Sequence, residues 1–198
     1  MVDGATLDRL GPDGLAAALR GGVDCLQLRD RSLDGKAMLA GADAARRAAD
    51  AAPHPVRLVV NRRLDVARCA GADGVHLGFD ALDPREARRQ LGPAAWIGVS
   101  THSPEEIDAA EGADYVHLAP VFDPISKPAS GPALGLARLA QACGRGVRVW
   151  AQGGIQASNA AEAVAAGADG VAVTGAISAA EDPECAARAL REALDRTP

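Results

Sequence analysis

The chain has 198 residues, of which 48 % are hydrophobic and only 3 % aromatic, and its formal net charge is -5. This length suits one domain, which we predict over residues 1–198 with a core of Ala, Val, Leu and Ile. The charges of both signs are interspersed, and the sequence has neither a membrane-length apolar run nor a signal segment. We therefore expect a cytoplasmic protein that binds neither nucleic acid nor membranes.

The first predicted elements lie within the N-terminal 30 residues. Residues 1–10 contain no more than the stub of a strand, so the first strand is either very short or begins upstream of Met1. A helix is predicted over about 12–20, and a short apolar strand follows in Gly22-Val-Asp-Cys-Leu-Gln-Leu28. An incomplete first strand would leave part of a barrel wall unpaired.

That segment is the weakest of four copies of one pattern. The clearer copies are Gly71-Ala-Asp-Gly-Val-His-Leu-Gly78, Gly112-Ala-Asp-Tyr-Val-His-Leu118 and Gly167-Ala-Asp-Gly-Val-Ala-Val173. Each copy predicts a helix end, an Asp turn and a short strand, because glycine readily adopts the positive φ that ends a helix. Strands this apolar are expected to be covered on both faces, as in a parallel sheet.

Strands and helices alternate along the rest of the chain. Further strands are predicted at 57–61, 95–100 and 147–152, and helices at about 34–51, 83–91, 103–111, 135–143, 156–166 and 183–194. This alternation predicts an α/β protein with βαβ units. Seven such strands favour a closed (β/α)8 TIM barrel whose first strand is short or truncated. A doubly wound open sheet is the alternative.

In such a barrel, polar residues at the carboxyl ends of the strands face the active site. The candidates in chain order are Gln27, Arg29, Arg31, Asn61, His76, Asp80, Ser100, His102, Ser126, Lys127, Gly153, Gly154, Thr174 and Gly175.

A phosphate site is predicted after the last two strands. The pairs Gly153-Gly154 and Thr174-Gly175 stand where these barrels commonly bind phosphate, and glycine lets backbone N–H groups approach an anion closely. A short helix after Gly175 would add its positive end. The alternative is that both pairs are only tight turns.

Three side chains are the candidate catalytic residues. His76 and His102 could transfer protons, whereas His117 lies inside a strand and favours a structural role. Lys127 suits anion binding, and it lies with Ser126 in a Gly- and Pro-rich loop that we predict to be a lid. No histidine pair has metal-binding spacing, so no tightly held transition metal is indicated.

Over about residues 12–195 the chain resembles the thiamine phosphate synthase / thiazole tautomerase superfamily. The segments that carry the resemblance are Gln27-Leu-Arg29, Val60-Asn61, the copy at 71–78, Gly98-Val-Ser100, the stretch from Pro120 to Lys127, and Gly153-Gly-Ile155. The resemblance implies a (β/α)8 barrel. The family's synthase joins a hydroxymethylpyrimidine diphosphate to a thiazole phosphate and releases pyrophosphate with Mg²⁺. Its tautomerase isomerises the thiazole phosphate.

The resemblance also implies roles by position. Gln27 and Arg29 would hold the pyrimidine substrate and its diphosphate, and Asn61 and Lys127 would also contact the diphosphate. Ser100 would lie beside the reacting centre. The remaining candidates are Arg31 and Ser126 for substrate binding, and Gly153, Gly154, Thr174 and Gly175 for the thiazole phosphate.

Both carboxylates that hold Mg²⁺ in the synthase pattern are missing from their positions. The Asp expected after Asn61 is Arg62, and the expected Gln-x-Asp reads Phe79-Asp80-Ala81. Mg²⁺ normally takes one or two carboxylates beside substrate phosphates. No cofactor is therefore predicted, unless the protein is a synthase that uses Asp80 for Mg²⁺.

The tautomerase branch shares Arg31 and the non-acidic residue at position 62, although its catalytic histidine would align with Pro120. These features slightly favour a metal-independent, tautomerase-like enzyme that binds a thiazole phosphate. The alternatives are a divergent Mg²⁺-dependent thiamine phosphate synthase, a non-catalytic phosphate-ligand-binding or regulatory protein, and an unrelated phosphate-binding barrel isomerase. The expected partners are a phosphorylated small molecule and a second copy of the chain in a homodimer.

Overall fold

A computed structural model describes residues 1–78, 80–123 and 132–196. Within these ranges, seven parallel strands form one sheet in chain order, each paired with the next. This order never reverses, so the doubly wound alternative is wrong and the fold is α/β and TIM-barrel-like. The strands are β1 Cys25–Leu28, β2 Arg57–Asn61, β3 Gly74–Leu77, β4 Trp96–Thr101, β5 Tyr115–Leu118, β6 Arg148–Gln152 and β7 Gly170–Ala172.

Helices follow the strands, including a short one at Leu64–Cys69 that the sequence did not predict. Asp34, Asp83 and Asp182 cap three helices with side-chain oxygens that accept first-turn N–H groups. No helix of the described residues is long and apolar enough to cross a membrane. The helices are α1 Gly4–Arg20, α2 Gly35–Asp50, α3 Leu64–Cys69, α4 Pro84–Leu91, α5 Pro104–Asp108, α6 Gly135–Ala142, α7 Ala160–Ala165, α8 Gly175–Ser178 and α9 Pro183–Asp195.

The N-terminus differs from the prediction. Helix α1 begins at Gly4 rather than near residue 12, because Asp3 accepts the N–H of Thr6 and the chain passes Gly11 with a kink at φ 61°. Met1 and Val2 lie ahead of this cap. Val2 makes a single-residue parallel bridge to Leu28, so the predicted eight-stranded barrel is not confirmed.

This stub nevertheless connects the two outer strands. Val2 donates its N–H to the Gln27 carbonyl at 2.9 Å and accepts the N–H of Arg29 at 2.8 Å. The terminal nitrogen of Met1 donates to the carbonyl of Val173, which follows β7, at 2.6 Å. Two residues do not fill the place of a strand, and a cavity of about 360 Å³ remains between the β1 and β7 sides.

The repeated Asp links neighbouring strands at their amino ends. In three copies its carboxylate accepts the backbone N–H of the second residue of the preceding strand, and its own N–H donates to the carbonyl of that residue. These bonds lie at the end of the sheet that serves stability rather than chemistry. The side-chain bonds are Leu58–Asp73 at 2.7 Å, Ile97–Asp114 at 2.7 Å and Val149–Asp169 at 2.8 Å.

The interior of the sheet contains a stack of rings. Tyr115 and Trp150 pack with their ring centroids 4.5 Å apart, and His76 and His117 pack at 4.2 Å. The apolar residues on the other faces of the strands pack against the helices in three buried clusters. The carboxyl ends of the strands and the loops after them therefore form the mouth, above a floor of rings.

Candidate functional site

Buried polar side chains line the floor of the mouth. Gln27, Asn61 and His76 stand on β1, β2 and β3 and are 3 %, 6 % and 2 % exposed. Asn61 and His76 are register partners, so the two side chains lie on one face of the sheet. The predicted substrate-binding residues Gln27 and Asn61 are thus brought to the same floor.

Among the described residues, Gln27 has no partner for its side-chain amide. Its Nε2 and Oε1 are both buried, and neither hydrogen-bonds to any described residue. A buried polar group without a partner costs about 1–3 kcal/mol. A ligand with a donor and an acceptor on one edge would pair both atoms.

His76 connects β3 to the two following strands. Its Nε2 lies 2.9 Å from Ser100 Oγ and its Nδ1 3.2 Å from the Tyr115 hydroxyl. Burial, and secondarily the charge of Arg29, lowers the pKa of His76 to about 3. The imidazole is neutral near pH 7 and holds Ser100 in place.

His117 lies under His76 and is buried, as the sequence predicted for a structural histidine. Its Nδ1 hydrogen-bonds Gln152 Oε1 at 3.1 Å. Burial, followed by the nearby His76, lowers the pKa of His117 well below its ordinary value. Both interior histidines are therefore neutral, which makes them poor proton shuttles near neutral pH.

We call Arg29, Arg31 and Arg62 the arginine rim; they follow the carboxyl ends of β1 and β2. Burial first, and then the charges of Arg31 and Arg62, lowers the pKa of Arg29. Arg62 Nη2 contacts Asp80 Oδ1 at 2.5 Å. The sequence signal for Arg62 was a cation where the family pattern has an acid, and Arg62 was not among the predicted site residues.

We call Gly153, Gly154 and Gly175 the glycine rim; they follow β6 and β7. Gly153 and Gly154 have φ of 90° and 62°. A Cβ on Gly153 would lie 2.7 Å from Pro120 Cα, and one on Gly154 2.5 Å from the Asp123 carbonyl oxygen. Only glycine fits this close packing.

The glycine rim also presents unpaired donors. No described residue accepts the backbone N–H of Gly154 or of Gly175. Helix α8 begins at Gly175, directly after Thr174, as the sequence predicted. The geometry agrees with both sequence interpretations, since these are tight turns whose N–H groups are left for an anion.

His102 is not brought to the floor. It is exposed, accompanies Glu106 at the start of α5, and donates its backbone N–H to Glu106 Oε2 at 2.8 Å. Its predicted catalytic role is not supported by this position. Ser126 and Lys127 lie outside the described residues, and the lid that they were predicted to belong to stays a prediction.

The arginine rim does not fit a divalent cation held by protein carboxylates. The described residues contain no group of three or more His, Cys, Asp or Glu that could hold a metal ion. Asp80, the predicted substitute ligand for Mg²⁺, is paired with Arg62. Mg²⁺ takes oxygen ligands, and here the Arg62 guanidinium lies against the Asp80 carboxylate.

A family model described as thiamine monophosphate synthase matches residues 3–177 of the chain. The chain belongs to this family. A curated relative named thiamine-phosphate synthase, from Methanoculleus marisnigri, is 47 % identical over 91 % of this chain and 85 % of its own. Another of that name, from Roseiflexus castenholzii, is 44 % identical over 90 % of this chain and 78 % of its own.

One solved structure agrees with the membership in the thiamine monophosphate synthase family, and another shares only the fold. The thiamine phosphate pyrophosphorylase of Pyrococcus furiosus superposes with a TM-score of 0.84 at 31 % identity, covering 96 % of this chain and 93 % of that chain. The orotidine 5'-phosphate decarboxylase of Pyrococcus horikoshii has a TM-score of 0.64 at 19 % identity, covers 91 % of both chains, and shares the fold alone.

Proposed function

We propose that the chain is a thiamine-phosphate synthase, which joins hydroxymethylpyrimidine diphosphate to thiazole phosphate and releases pyrophosphate. The observation that carries this proposal is the presence of two anion-binding rims at one mouth. The arginine rim follows β1 and β2, and the glycine rim follows β6 and β7. A reaction between two phosphorylated substrates needs both, whereas isomerising one thiazole phosphate needs one.

The histidines argue against the tautomerase that the sequence slightly favoured. A tautomerase needs a group that gains and loses protons near neutral pH. The pKa of His76 lies at about 3, and His102 pairs with Glu106 away from the floor. The relatives' names also favour the synthase.

In this proposal the floor and the two rims bind different parts of the substrates. The free amide of Gln27 pairs with the edge of the pyrimidine, and Ser100, held by His76, lies beside the reacting carbon. The arginine rim stabilises the negative charge that develops on the departing pyrophosphate. Backbone N–H groups of the glycine rim hold the phosphate of the thiazole.

The test incubates the purified protein with both substrates and follows thiamine phosphate and pyrophosphate by chromatography. Reactions are run with Mg²⁺ and, separately, with EDTA. We expect the two products in equal amounts in at least one condition. Gln27→Leu is the matched variant, because it keeps the volume of the side chain but removes the amide, and it should raise the KM for the pyrimidine substrate.

Absence of thiamine phosphate in both conditions would refute the synthase. Isomerisation of thiazole phosphate alone would then support the tautomerase, and binding without turnover would support the non-catalytic protein. The single domain over residues 1–198, the homodimer and the cytoplasmic location remain part of the proposal.

A further inference from the structure

We propose that Arg62 binds the diphosphate directly, together with Arg29 and Arg31, and supplies the positive charge that a divalent cation would otherwise bring. The identity of the diphosphate as the pyrimidine substrate's rests on the proposed function. The binding of a diphosphate by the arginine rim does not.

The position of the Arg62 guanidinium supports this. Arg62 has a φ of 63°, a conformation that non-glycine residues rarely adopt. Its N–H donates to the His76 carbonyl at 2.9 Å, which fixes this turn at the end of β2. A Cβ on Gly78 would lie 3.1 Å from Arg62 Nη1, so the guanidinium lies across the end of β3 in space that any larger residue would occupy.

The present partner of Arg62 is easily exchanged. The Asp80 side chain is 74 % exposed and the Arg62 side chain 29 % exposed. Exposed ion pairs contribute little free energy, because water competes for both charges. A diphosphate, with more charge and two or more oxygens that match the guanidinium fork, can displace the Asp80 carboxylate.

The surrounding charges favour an anion at this place. The charges of Arg31 and Arg62 act on Arg29 and on Asp80, and Asp3 acts on Arg29 in the opposite sense, so the three guanidinium groups lie within electrostatic range of one another. Three like charges repel one another, and Asp80 offsets one of them. A diphosphate that displaces Asp80 would offset the positive charge of all three, and each guanidinium offers it up to about five N–H donors.

The experiment is a calorimetric titration of the full chain with inorganic pyrophosphate at low salt, in EDTA. We expect the wild type to bind without metal. Arg62→Asn removes the charge and tolerates the positive φ, and it should raise the Kd at least about tenfold. Arg63→Asn is the matched control, because the Arg63 guanidinium is bound to Asp65 at 2.8 and 2.6 Å. The Kd of this variant for pyrophosphate should equal that of the wild type.

Asp80→Asn separates the two roles of this carboxylate. If Asp80 competes with the diphosphate for Arg62, its neutralisation strengthens pyrophosphate binding in EDTA. If Asp80 were a metal ligand, the same variant would weaken binding in Mg²⁺ and leave binding in EDTA unchanged. Arg62→Asp should abolish binding in EDTA and recover part of it in Mg²⁺.

Wild-type binding that requires Mg²⁺, or an Arg62→Asn variant that binds as tightly as the wild type, would overturn the inference. The outcome is independent of the synthase assay. Pyrophosphate binding that depends on Arg62 supports the inference even if no thiamine phosphate forms. Product formation with Mg²⁺ alone, and no binding in EDTA, would keep the synthase and overturn the inference.

Discussion

The two rims proposed to bind anions are built in different ways. The glycine rim uses backbone N–H groups, and Gly153 and Gly154 are locked by their packing against Pro120 and Asp123. The arginine rim consists of long side chains at the ends of β1 and β2, and in its ion pair with Asp80 the carboxylate is exposed while Arg62 is half-buried. The glycine rim is therefore built from the backbone of the fold, whereas the arginine rim is built from side chains.

This difference explains where the chain departs from its family pattern. Gly153 and Gly154 cannot change without disturbing the loop after β5, because a Cβ at either position meets backbone atoms of that loop. Arg62 can replace an acid because its side chain lies at the surface of the mouth. Chemistry can therefore change at the arginine rim while the glycine rim keeps its form.

The largest effect should come from breaking the glycine rim. Gly154→Ala combines a positive φ with a Cβ 2.5 Å from the Asp123 carbonyl oxygen, so we expect a loss of about 3 kcal/mol in the free energy of unfolding. Gly144→Ala is the control, since Gly144 has a φ of 79° but nothing within 4 Å of the added Cβ. It should lose about 1 kcal/mol.

Urea denaturation measures both variants, and titration with thiazole phosphate measures the effect on the site. Equal losses of stability in the two variants would show that the packing against Asp123 contributes nothing. Gly154→Ala should also weaken thiazole phosphate binding, whereas Gly144→Ala should not.

The next effect concerns the histidine floor that both rims share. The unfolded chain protonates His76 below its ordinary pKa of 6.5, but the folded protein keeps it neutral down to about pH 3. The unfolded state thus binds more protons, and stability falls as the pH drops from 6.5 towards 3. Between pH 7 and 5, His76 should account for a loss of about 2 kcal/mol.

The lowered pKa of His117 acts in the same direction. Unfolding free energies of the wild type and of His76→Gln, measured at pH 7, 6 and 5, isolate the contribution of His76 as the difference in slope. Parallel slopes in the two proteins would mean that His76 is protonated in the folded state.

A smaller effect is expected from the arginine rim, and in affinity rather than stability. Arg29→Gln should raise the Kd for pyrophosphate about tenfold, the effect of losing one charge-assisted contact. The free energy of unfolding should hardly change, because the variant relieves repulsion from Arg31 and Arg62. Arg57→Gln is the control, since Arg57 lies over Trp96 at the amino end of β2.

Calorimetry with pyrophosphate and urea denaturation are needed for both variants. If Arg29→Gln lost as much stability as Gly154→Ala, the contrast between a rim built from the backbone and one built from side chains would fail.

The fold was largely predictable because its signals are local and repeated. The four glycine–Asp copies and the alternating helices predicted all seven strands, since a helix end, a positive φ and an apolar run lie within ten residues. The eighth strand was not predictable. Whether Val2 pairs with Leu28 depends on Asp3 capping α1, which leaves only two residues free to extend.

The sequence predicted which candidate residues share a face, but not how their side chains pair. Strand ends identified Gln27, Asn61 and His76, because alternation along a strand fixes which residues share a face. The pairing of Arg62 with Asp80 could be seen only in the structure, because the two residues are 18 positions apart in the sequence. The proton-transfer role predicted for His76 overlooked its burial, which a sequence does not report.

The smallest effect tests a residue that belongs to neither rim. His102→Ala removes an exposed ring beside Glu106 but keeps the backbone N–H that Glu106 accepts, so stability should change by less than about 0.5 kcal/mol. Because His102 lies away from the floor, synthase turnover should stay within about twofold of the wild type. Loss of a residue that did transfer the proton would normally lower turnover 10²-fold or more. His76→Ala is the contrast: it leaves Ser100 and Tyr115 without their partner and should lower both turnover and stability. A large loss of turnover in His102→Ala, with an unchanged KM, would indicate that His102 transfers a proton during the reaction. It would then be wrong to attribute catalysis to the charges and N–H groups of the two rims alone.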